Sequence, residues 1–357
     1  MLRDQRGKPG KSDSMSIMTT IRKGLAPAAV SLALLGLASA QVAQAATGSA
    51  ARPAAPGLHA TARIGLGSSS GIFSDVFTQA PNGAVFYSRG SVVYVVDGNL
   101  APKIALHAGK NVLALAANAS ELFVQTGLTV TGYSRSNGAV LRHWTLTSPV
   151  TPITSAGLYA VGSTLWSWTD WATDRTGFEY AKVNRIAVTG SAVHVVAREA
   201  FPGDMAADTT GLYFESVRGS SDYLNHVKPS GSLRSAHVSN GDVDAPLALA
   251  AGRVDLLTFS TQLHVTSFSP TTLAELSSKQ VSANDRDIAG TGLGLLVLAQ
   301  PCSHLTCSSS TVSKLDASTG SATGTLTVPY TYLLLPGPFG AVIEVSHGKV
   351  YLVRIGP

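Results

Sequence analysis

Aspartates precede several short apolar runs of this chain at matching positions. Asp75 comes before Val76, and Asp287 comes before Ile288. If the runs are arranged as a ring, these side chains converge on one opening, where like charges repel unless a cation offsets them. Hard cations prefer oxygen ligands. The pattern predicts a site for a cation, most simply Ca²⁺, with four ligands that share this position: Asp75, Asp204, Asp244 and Asp287.

Two other interpretations of these aspartates stay open. Asp often caps a turn by bonding its own backbone, and Asp242, Asp285 and Asn111 occupy comparable positions. A pair such as Asp204 and Asp244 would instead act as general acid and base, if burial separated their pKa values. Residue types alone do not choose between a cation site, a catalytic pair and solvated turn caps.

Three of the four tryptophans lie in the segment 166–171. Trp166 and Trp168 share one face of a strand, which favours packing between neighbouring sheets. Trp171 falls in the following loop among charged residues, and an exposed indole beside charge is a stacking platform for a sugar or a cation. We therefore predict a ligand-binding site with four members: Trp171, Asp170, Asp174 and Arg175.

The chain has two cysteines, Cys302 and Cys307, which are close in sequence. In a secreted protein two such cysteines most simply form a disulfide. A metal site made from them and His304 would lack the usual four ligands. The other histidines are scattered, and no phosphate loop or dinucleotide motif is present. The motifs therefore indicate no catalytic residue.

A repeat of about 40 residues positions these groups. Its clearest unit is 112–146, where four short strands alternate with turns that contain Gly or Asn, the residues that tight turns favour. The second strand of each unit begins at one of seven positions, spaced 37 to 47 residues apart: Ala84, Glu121, Thr164, Gly211, Val254, Gly294 and Ala341. Four antiparallel strands in such a period are typical of one propeller blade.

The pattern predicts an all-β fold, a seven-bladed β-propeller of four-stranded antiparallel blades. Many strands are apolar on both faces, as at 295–298, which is typical of strands sandwiched between two neighbours. The seventh unit has no fourth strand, whereas the segment Leu58–Leu66 precedes the first unit. We expect this N-terminal strand to be the outer strand of the last blade, because closing the ring removes an open sheet edge.

Two units end in turns with the sequences SRSNG at 134–138 and LDASTG at 315–320. These turns resemble the pyrroloquinoline-quinone-like, or quinoprotein-type, propeller repeats, and the resemblance covers the whole propeller as architecture. That family's docking pattern has a tryptophan four residues after the glycine, where this chain has Arg142 and Gly324, and Trp144 comes two residues later. The resemblance therefore implies the family's fold without its docking tryptophans, and it does not imply the quinone cofactor.

The first 45 residues predict a signal peptide. Basic residues precede an apolar run from Leu25 to Ala40, and small residues of the type that signal peptidase requires lead to Ala45. The run is short for a membrane span of roughly 20 residues, so no stable membrane insertion is expected after cleavage. We expect cleavage after Ala45, with Ala40 as the alternative, and translation from Met15 or Met18 as an alternative start.

Residues 46–57 are rich in Ala, Pro and Gly and predict a linker, which leaves 58–357 as the propeller. The sequence pI of about 9.2 mostly reflects the leader. Residues 1–45 hold six basic and two acidic residues, so the remainder keeps 20 and 19, a net charge of +1. This balance disfavours a nucleic-acid partner, which needs a concentrated basic patch. We expect an extracellular protein, free or associated with the cell wall.

The first functional hypothesis is a secreted, non-enzymatic propeller that binds a glycan, a peptide or a protein on the face that carries its loops, with Ca²⁺ as its candidate cofactor. The second is a secreted hydrolase or lyase that uses the acidic channel mouth. A vestigial quinoprotein is disfavoured by the missing docking tryptophans. A shallow mouth with one cation favours binding, whereas two carboxylates facing each other across a cleft favour catalysis.

Overall fold

The computed structural model describes residues 57–146, 156–173, 179–199, 205–218, 221–239, 246–259, 261–300, 308–316 and 318–357. In these ranges the regular secondary structure is β-strand, apart from one short 3-10 turn at Ile72–Ser74. None of their helical structure is long or apolar enough to cross a bilayer. The predicted leader and linker, up to residue 56, lie outside the described residues.

The strands are numbered in chain order. The first strand is β1 (His59–Ser68). Blades one to three contain β2 (Phe77–Gln79), β3 (Val85–Arg89), β4 (Val92–Val96), β5 (Lys103–His107), β6 (Ala114–Ala117), β7 (Glu121–Thr126), β8 (Thr129–Ser134), β9 (Val140–Thr145), β10 (Ala156–Val161), β11 (Thr164–Thr173), β12 (Glu179–Ala187) and β13 (Val193–Glu199).

The second half of the ring repeats this order. Blades four to seven contain β14 (Met205–Asp208), β15 (Gly211–Arg218), β16 (Ser221–Val227), β17 (Leu233–Val238), β18 (Leu247–Ala250), β19 (Arg253–Phe259), β20 (Leu263–Phe268), β21 (Glu275–Gln280), β22 (Asp285–Thr291), β23 (Gly294–Ala299), β24 (Ser309–Leu315), β25 (Ala322–Pro329), β26 (Thr331–Leu335), β27 (Gly340–Ser346) and β28 (Lys349–Gly356).

These strands form seven four-stranded antiparallel sheets. The innermost strands contact one another in the order β2, β6, β10, β14, β18, β22 and β26, and β26 contacts β2 again, which closes the ring. Six of the seven second strands include their predicted first residue, and β3 begins one residue after the predicted Ala84. The prediction of an all-β, seven-bladed propeller is therefore confirmed.

Apolar packing between blades explains why many strands are apolar on both faces. The buried side chains fall into seven clusters, and each cluster joins two neighbouring blades. Within β3, Val85 and Tyr87 pack towards blade seven, whereas Phe86 packs towards blade two. Successive side chains of a strand point to opposite faces, so a blade buried on both sides needs apolar residues at every position.

The N-terminal strand closes the ring, as predicted. β1 pairs antiparallel with β28, and the last sheet has the order β1, β28, β27, β26. The pairing extends from His59 opposite Gly356 to Ser68 opposite Lys349, with β-bulges in β1 that interrupt its register. The seventh blade therefore combines three strands from one end of the chain with one from the other.

A buried ion pair fixes this closing strand. Arg63 of β1 reaches across β28 to Glu344 of β27, and its Nε lies 3.2 Å from both carboxylate oxygens while Nη2 bonds Oε1. The guanidinium carbon also lies 3.5 Å from the centroid of the Tyr351 ring. The side chain of Glu344 is 1% exposed and that of Arg63 is 45% exposed. Arg63 thus neutralises a carboxylate that would otherwise be buried alone.

Replacing Arg63 by Met should destabilise the ring, because the Glu344 carboxylate then loses its partner. Breaking a fully buried pair costs about 3–5 kcal/mol, and the solvent access of Arg63 lowers our expectation to about 1–3 kcal/mol. Urea unfolding measures the change. The double variant Arg63→Met/Glu344→Leu should recover most of the loss, since no charge is left buried. An Arg63→Met protein as stable as the parent would contradict this role.

Candidate functional site

One face of the ring, here called the loop face, carries the connections into the innermost strands and the hairpins between second and third strands. Two described connections illustrate it: residues 69–76 lead from β1 into β2, and residues 347–348 join β27 to β28. Antiparallel order alternates strand direction, so both kinds of connection reach the same face. The described members of the predicted cation site, Asp75 and Asp287, lie on or next to this face.

Asp75 lies on the loop face, directly before blade one, as predicted. Its amide follows the 3-10 turn and donates to the carbonyl of Ile72. The carboxylate Oδ2 lies 3.5 Å from Arg89 Nε, and Arg89 Nη2 donates to the carbonyl of Ser68 at the end of β1. Burial raises the pKa of Asp75 to about 6, although Arg89 opposes the shift. This carboxyl group is therefore part of the contact between β1 and blade one.

Asp285 and Asp287 lie inside β22, whereas the sequence placed them in the connection before it. A bulge separates them, so Asp285 pairs with Ala299 and Asp287 with Leu298. Burial raises the pKa of Asp285 to about 6, partly opposed by the hydrogen bond that its carboxylate accepts from the Ser282 amide. The bulge places the two carboxyl groups on opposite faces of blade six.

The Asp287 carboxylate accepts two main-chain hydrogen bonds. Oδ1 accepts from the amide of Ile288 at 2.9 Å, and Oδ2 accepts from the amide of Leu334 at 3.3 Å. Leu334 belongs to β26, so this side chain joins the innermost strands of blades six and seven. Of the two described members of the predicted cation site, Asp287 therefore connects two blades, whereas Asp75 contacts Arg89 of blade one.

Several predicted site residues lie outside the described residues. These are Asp204 and Asp244 of the predicted cation site, Asp174 and Arg175 of the predicted ligand site, and the cysteines Cys302 and Cys307. The disulfide and these site assignments therefore stay predictions. Among the described residues, no group of three or more His, Cys, Asp or Glu side chains is placed to hold a metal ion.

The structure describes part of the tryptophan-rich segment 166–171. Trp166 and Trp168 are buried in the cluster between blades three and four, as expected. Trp171 and Asp170 lie within β11, which extends to Thr173 and continues its pairing with β12, so the expectation that Trp171 is in a loop was wrong. The side chains from 170 to 178 lie outside the described part, and the ligand site there stays a prediction.

Trp144 connects two neighbouring blades, a contact that its spacing in the sequence did not indicate. It lies in β9, its ring packs near Phe123, and its Nε1 donates to the carbonyl of Gly190 at 2.8 Å. Gly190 belongs to the turn after β12, so the indole connects blade two with blade three. Arg142, two residues earlier, bonds Glu121 within its blade and the carbonyl of Val188 in the next. Both of these contacts depend on how neighbouring blades are positioned against each other.

A groove of about 500 Å³ lies at the loop-face end of blade seven, where β1 meets β28. Its volume is in the range of small-molecule sites, about 300–1,000 Å³. We call it the closure groove and define it by eight lining residues: Gly65, Gly67, Ser68, His347, Gly348, Lys349, Val350 and Tyr351. Because three of them are glycines, much of the groove wall is main chain.

The closure groove has a mainly apolar wall with exposed basic side chains beside it. Lys349 and His347 are exposed, and no carboxylate is among the lining residues. Among the described residues the Lys349 ammonium has no hydrogen-bond or ion-pair partner, whereas His347 Nδ1 is hydrogen-bonded to Ser346 Oγ at 2.9 Å. Tyr351 is half-buried at one side. No motif in the sequence marks this groove, because two segments that are remote in sequence form it together.

Comparison with known proteins supports the fold. No family model and no curated protein matches the sequence. The structure is similar to the WD40 domain of Neurospora crassa Pan2, with a TM-score of 0.56, 9% identity, and coverage of 84% of this chain and 95% of that domain. It is also similar to the β-propeller domain of Myceliophteria thermophila Cps50 (Swd1), with a TM-score of 0.56, 13% identity, and coverage of 83% and 99%.

An enzyme is among the similar structures. An oligogalacturonate lyase in complex with manganese matches with a TM-score of 0.53 and 12% identity, over 78% of this chain and 88% of that one. At these identities the likenesses show the propeller fold alone. The resemblance to quinoprotein-type repeats stays a prediction.

The raised pKa of Asp285 predicts a pH-dependent stability. A carboxyl group whose folded pKa of about 6 exceeds its ordinary 3.8 binds its proton more tightly when folded. Ionisation of Asp285 therefore lowers the free energy of unfolding as pH rises from about 4 through 6. The loss is up to about 3 kcal/mol for a pKa shift of about two units. Relative to the parent, Asp285→Asn should become more stable across this window in urea unfolding.

Asp316→Asn is the matched control for that measurement. Hydrogen bonds from the Ser318 hydroxyl and amide lower the pKa of Asp316, so its ionised form favours folding and this contribution is lost as pH falls. The Asp316→Asn variant should thus lose stability relative to the parent as pH rises. Equal pH profiles for the two variants would contradict the assignment for Asp285.

The Ca²⁺ hypothesis has a direct calorimetric test. Chelator-treated protein is titrated with Ca²⁺, beside an Asp204→Asn/Asp244→Asn double variant. If the predicted site binds a hard cation through carboxylate oxygens, the parent should release heat that the double variant lacks. Absence of heat in the parent, or heat that survives both substitutions, would end the hypothesis.

Proposed function

We propose that this chain is a secreted, non-catalytic β-propeller that binds a glycan, a peptide or a protein on its loop face. The observation that carries the proposal is the closure groove, a concave surface of small-molecule size on that face. Its mainly apolar wall offers packing surface to a ligand, and the exposed Lys349 ammonium offers hydrogen-bond donors. The predicted signal peptide supports an extracellular setting, in which such ligands are available.

The bonding of the acidic residues favours binding over catalysis. Asp75 faces Arg89, Asp285 accepts from the Ser282 amide, and the two oxygens of Asp287 accept main-chain amides. A general acid or base must reach the proton that it transfers. Carboxylates engaged in such contacts are poorly suited to that task, whereas they are well suited to keep a binding face rigid.

A bound Ca²⁺ is a second element of the proposal. It would use Asp75, Asp204, Asp244 and Asp287 as ligands at the mouth of the channel. For Asp287 such binding requires exchange of its main-chain hydrogen bonds, and for Asp75 it requires competition with Arg89. The predicted cation site and the closure groove share no residue, so they are two separate sites.

A thermal-shift panel of glycans, peptides and metal ions tests the binding function, because a ligand that binds only the folded protein raises the melting temperature. Hits are repeated with Lys349→Gln and with Lys103→Gln, a matched substitution at an exposed position outside the groove. We expect at least one hit that Lys349→Gln weakens and Lys103→Gln preserves. A panel without hits, or hits that the parent converts to products, would overturn the proposal.

The second candidate function, hydrolysis or elimination on a glycan, rests on the raised pKa values of Asp75 and Asp285. Carboxyl groups with a pKa of about 6 are what general acid–base chemistry near neutral pH requires. Product formation by the parent, lost in Asp285→Asn and Asp75→Asn, would favour this candidate. Incubation of the panel glycans with the protein, followed by chromatography, measures it.

A further inference from the structure

We propose that His226 and Tyr213 form an acid-sensitive latch between blades four and five, which holds only while the imidazole is neutral. Both residues are buried, with 1% and 0% of their surfaces exposed. They lie at the end of the ring opposite the loop face, beside the hairpin that joins β14 to β15. The latch shares no residue with the closure groove or with the predicted cation site.

A hydrogen bond fixes the tautomer of His226. Its Nε2 lies 3.2 Å from the carbonyl oxygen of Thr210. A carbonyl oxygen only accepts, so Nε2 carries the proton and donates this bond. Nδ1 is then the unprotonated nitrogen, and it is buried without a hydrogen-bond partner in the described part of the chain. A proton added at Nδ1 would create a buried cation whose new N–H meets no acceptor, which is energetically costly.

Tyr213 connects this imidazole to the neighbouring blade. The two rings stack, with their centroids 4.3 Å apart and their planes inclined by 9°. The Tyr213 hydroxyl lies 2.8 Å from Thr210 Oγ1 and donates to the carbonyl of Pro270 in blade five at 3.1 Å. Tyr213 also belongs to the apolar cluster between the two blades. An imidazole that turns towards water to bind a proton must leave this stack, so protonation loosens the contact between the blades.

The close packing of the latch depends on Gly211. A side chain at this position would place its Cβ 2.7 Å from His226 Nε2 and 2.1 Å from the carbonyl oxygen of Val227. Both distances are shorter than a carbon atom allows, so the hairpin can approach the imidazole this closely only with glycine there. The glycine thus lets the hairpin confine the imidazole against the Tyr213 ring.

Charged groups on blade four do not offset the burial of His226. Asp208, in the adjoining hairpin, favours the imidazolium, but its carboxylate already accepts hydrogen bonds within that hairpin. Lys228 and Arg234 disfavour the imidazolium. Burial has the largest influence and lowers the pKa of His226. The folded protein therefore binds this proton less readily than the unfolded chain does.

The other elements packed near the latch are mainly apolar. Blade five contributes apolar side chains to the shared cluster, and its segment 270–273 has no titratable residue. Glu215 is on the same face of β15 as Tyr213, but it lies opposite Leu224, in the next row of side chains towards the loop face. Because Glu215 is present in the parent and in every variant below, a comparison with a His226 variant isolates the imidazole.

Urea unfolding of the full chain between pH 7.5 and 5.5 tests the latch. Because the pKa of His226 is lowered by folding, the stability that the neutral imidazole contributes is present above its ordinary pKa of 6.5 and is lost as pH falls. His226→Gln keeps a donor for the Thr210 carbonyl and does not titrate. The unfolding equilibrium constant of the parent, divided by that of His226→Gln, should rise about five- to tenfold from pH 7.5 to 5.5.

Two further variants separate the imidazole from its surroundings. His237→Gln is the matched control, because His237 is exposed on β17 of the same blade, and it should keep the pH dependence of the parent. Tyr213→Phe keeps the ring stack and removes the hydroxyl bond to Pro270. It should be less stable than the parent at every pH, with the same dependence on pH. A ratio of parent to His226→Gln that stays constant with pH would overturn the latch.

Hydrogen exchange shows where the protein opens. At pH 5.5 the amides of the hairpin 208–211 and of Leu273, which donates to the carbonyl of Ser269, should exchange about fivefold faster in the parent than in His226→Gln. At pH 7.5 the two proteins should exchange these amides at equal rates. Faster exchange in the parent at both pH values, or acid-induced exchange confined to other blades, would contradict a latch at this position.

Discussion

Apolar packing between neighbouring blades is the interaction on which the rest of the structure depends. Each buried cluster draws side chains from two blades, as where Phe123 of blade two packs with Leu165 and Ile186 of blade three. Burying one large apolar side chain contributes about 1.5–3 kcal/mol, and a blade on its own would leave both of its apolar faces in water. The blades therefore stabilise one another, and the ring must be complete.

The ring is complete only with β1, a strand that is remote in sequence from the rest of blade seven. Arg63 and Glu344 are 281 residues apart, and the pairing of β1 with β28 joins the two ends of the propeller. The entropic cost of closing a loop grows only slowly with its length, so the contacts within blade seven can offset it. The closure groove is lined by both strands and exists only in the closed ring. A ligand bound there would stabilise the closed ring.

The fold was predictable because its signal is repeated, whereas the site was not. Seven copies of a strand pattern reinforce one another, and the unpaired N-terminal strand identified the closure. The contacts of Asp287 with Leu334 and of Trp144 with Gly190 join different blades and depend on which face of a strand a residue occupies. A bulge in β22 changes that face between Asp285 and Asp287, and nothing in the local sequence marks it.

The same packing constraint explains which polar groups are left for recognition. A charge buried between blades is costly unless it is paired or hydrogen-bonded, and Glu344, Asp285 and Asp287 each meet this condition through a contact on or near the loop face. Their carboxylates are thereby committed to structure. What stays available at the closure is a mainly apolar wall and the exposed ammonium of Lys349. The way the ring is closed therefore also sets the chemistry that this end of the loop face presents.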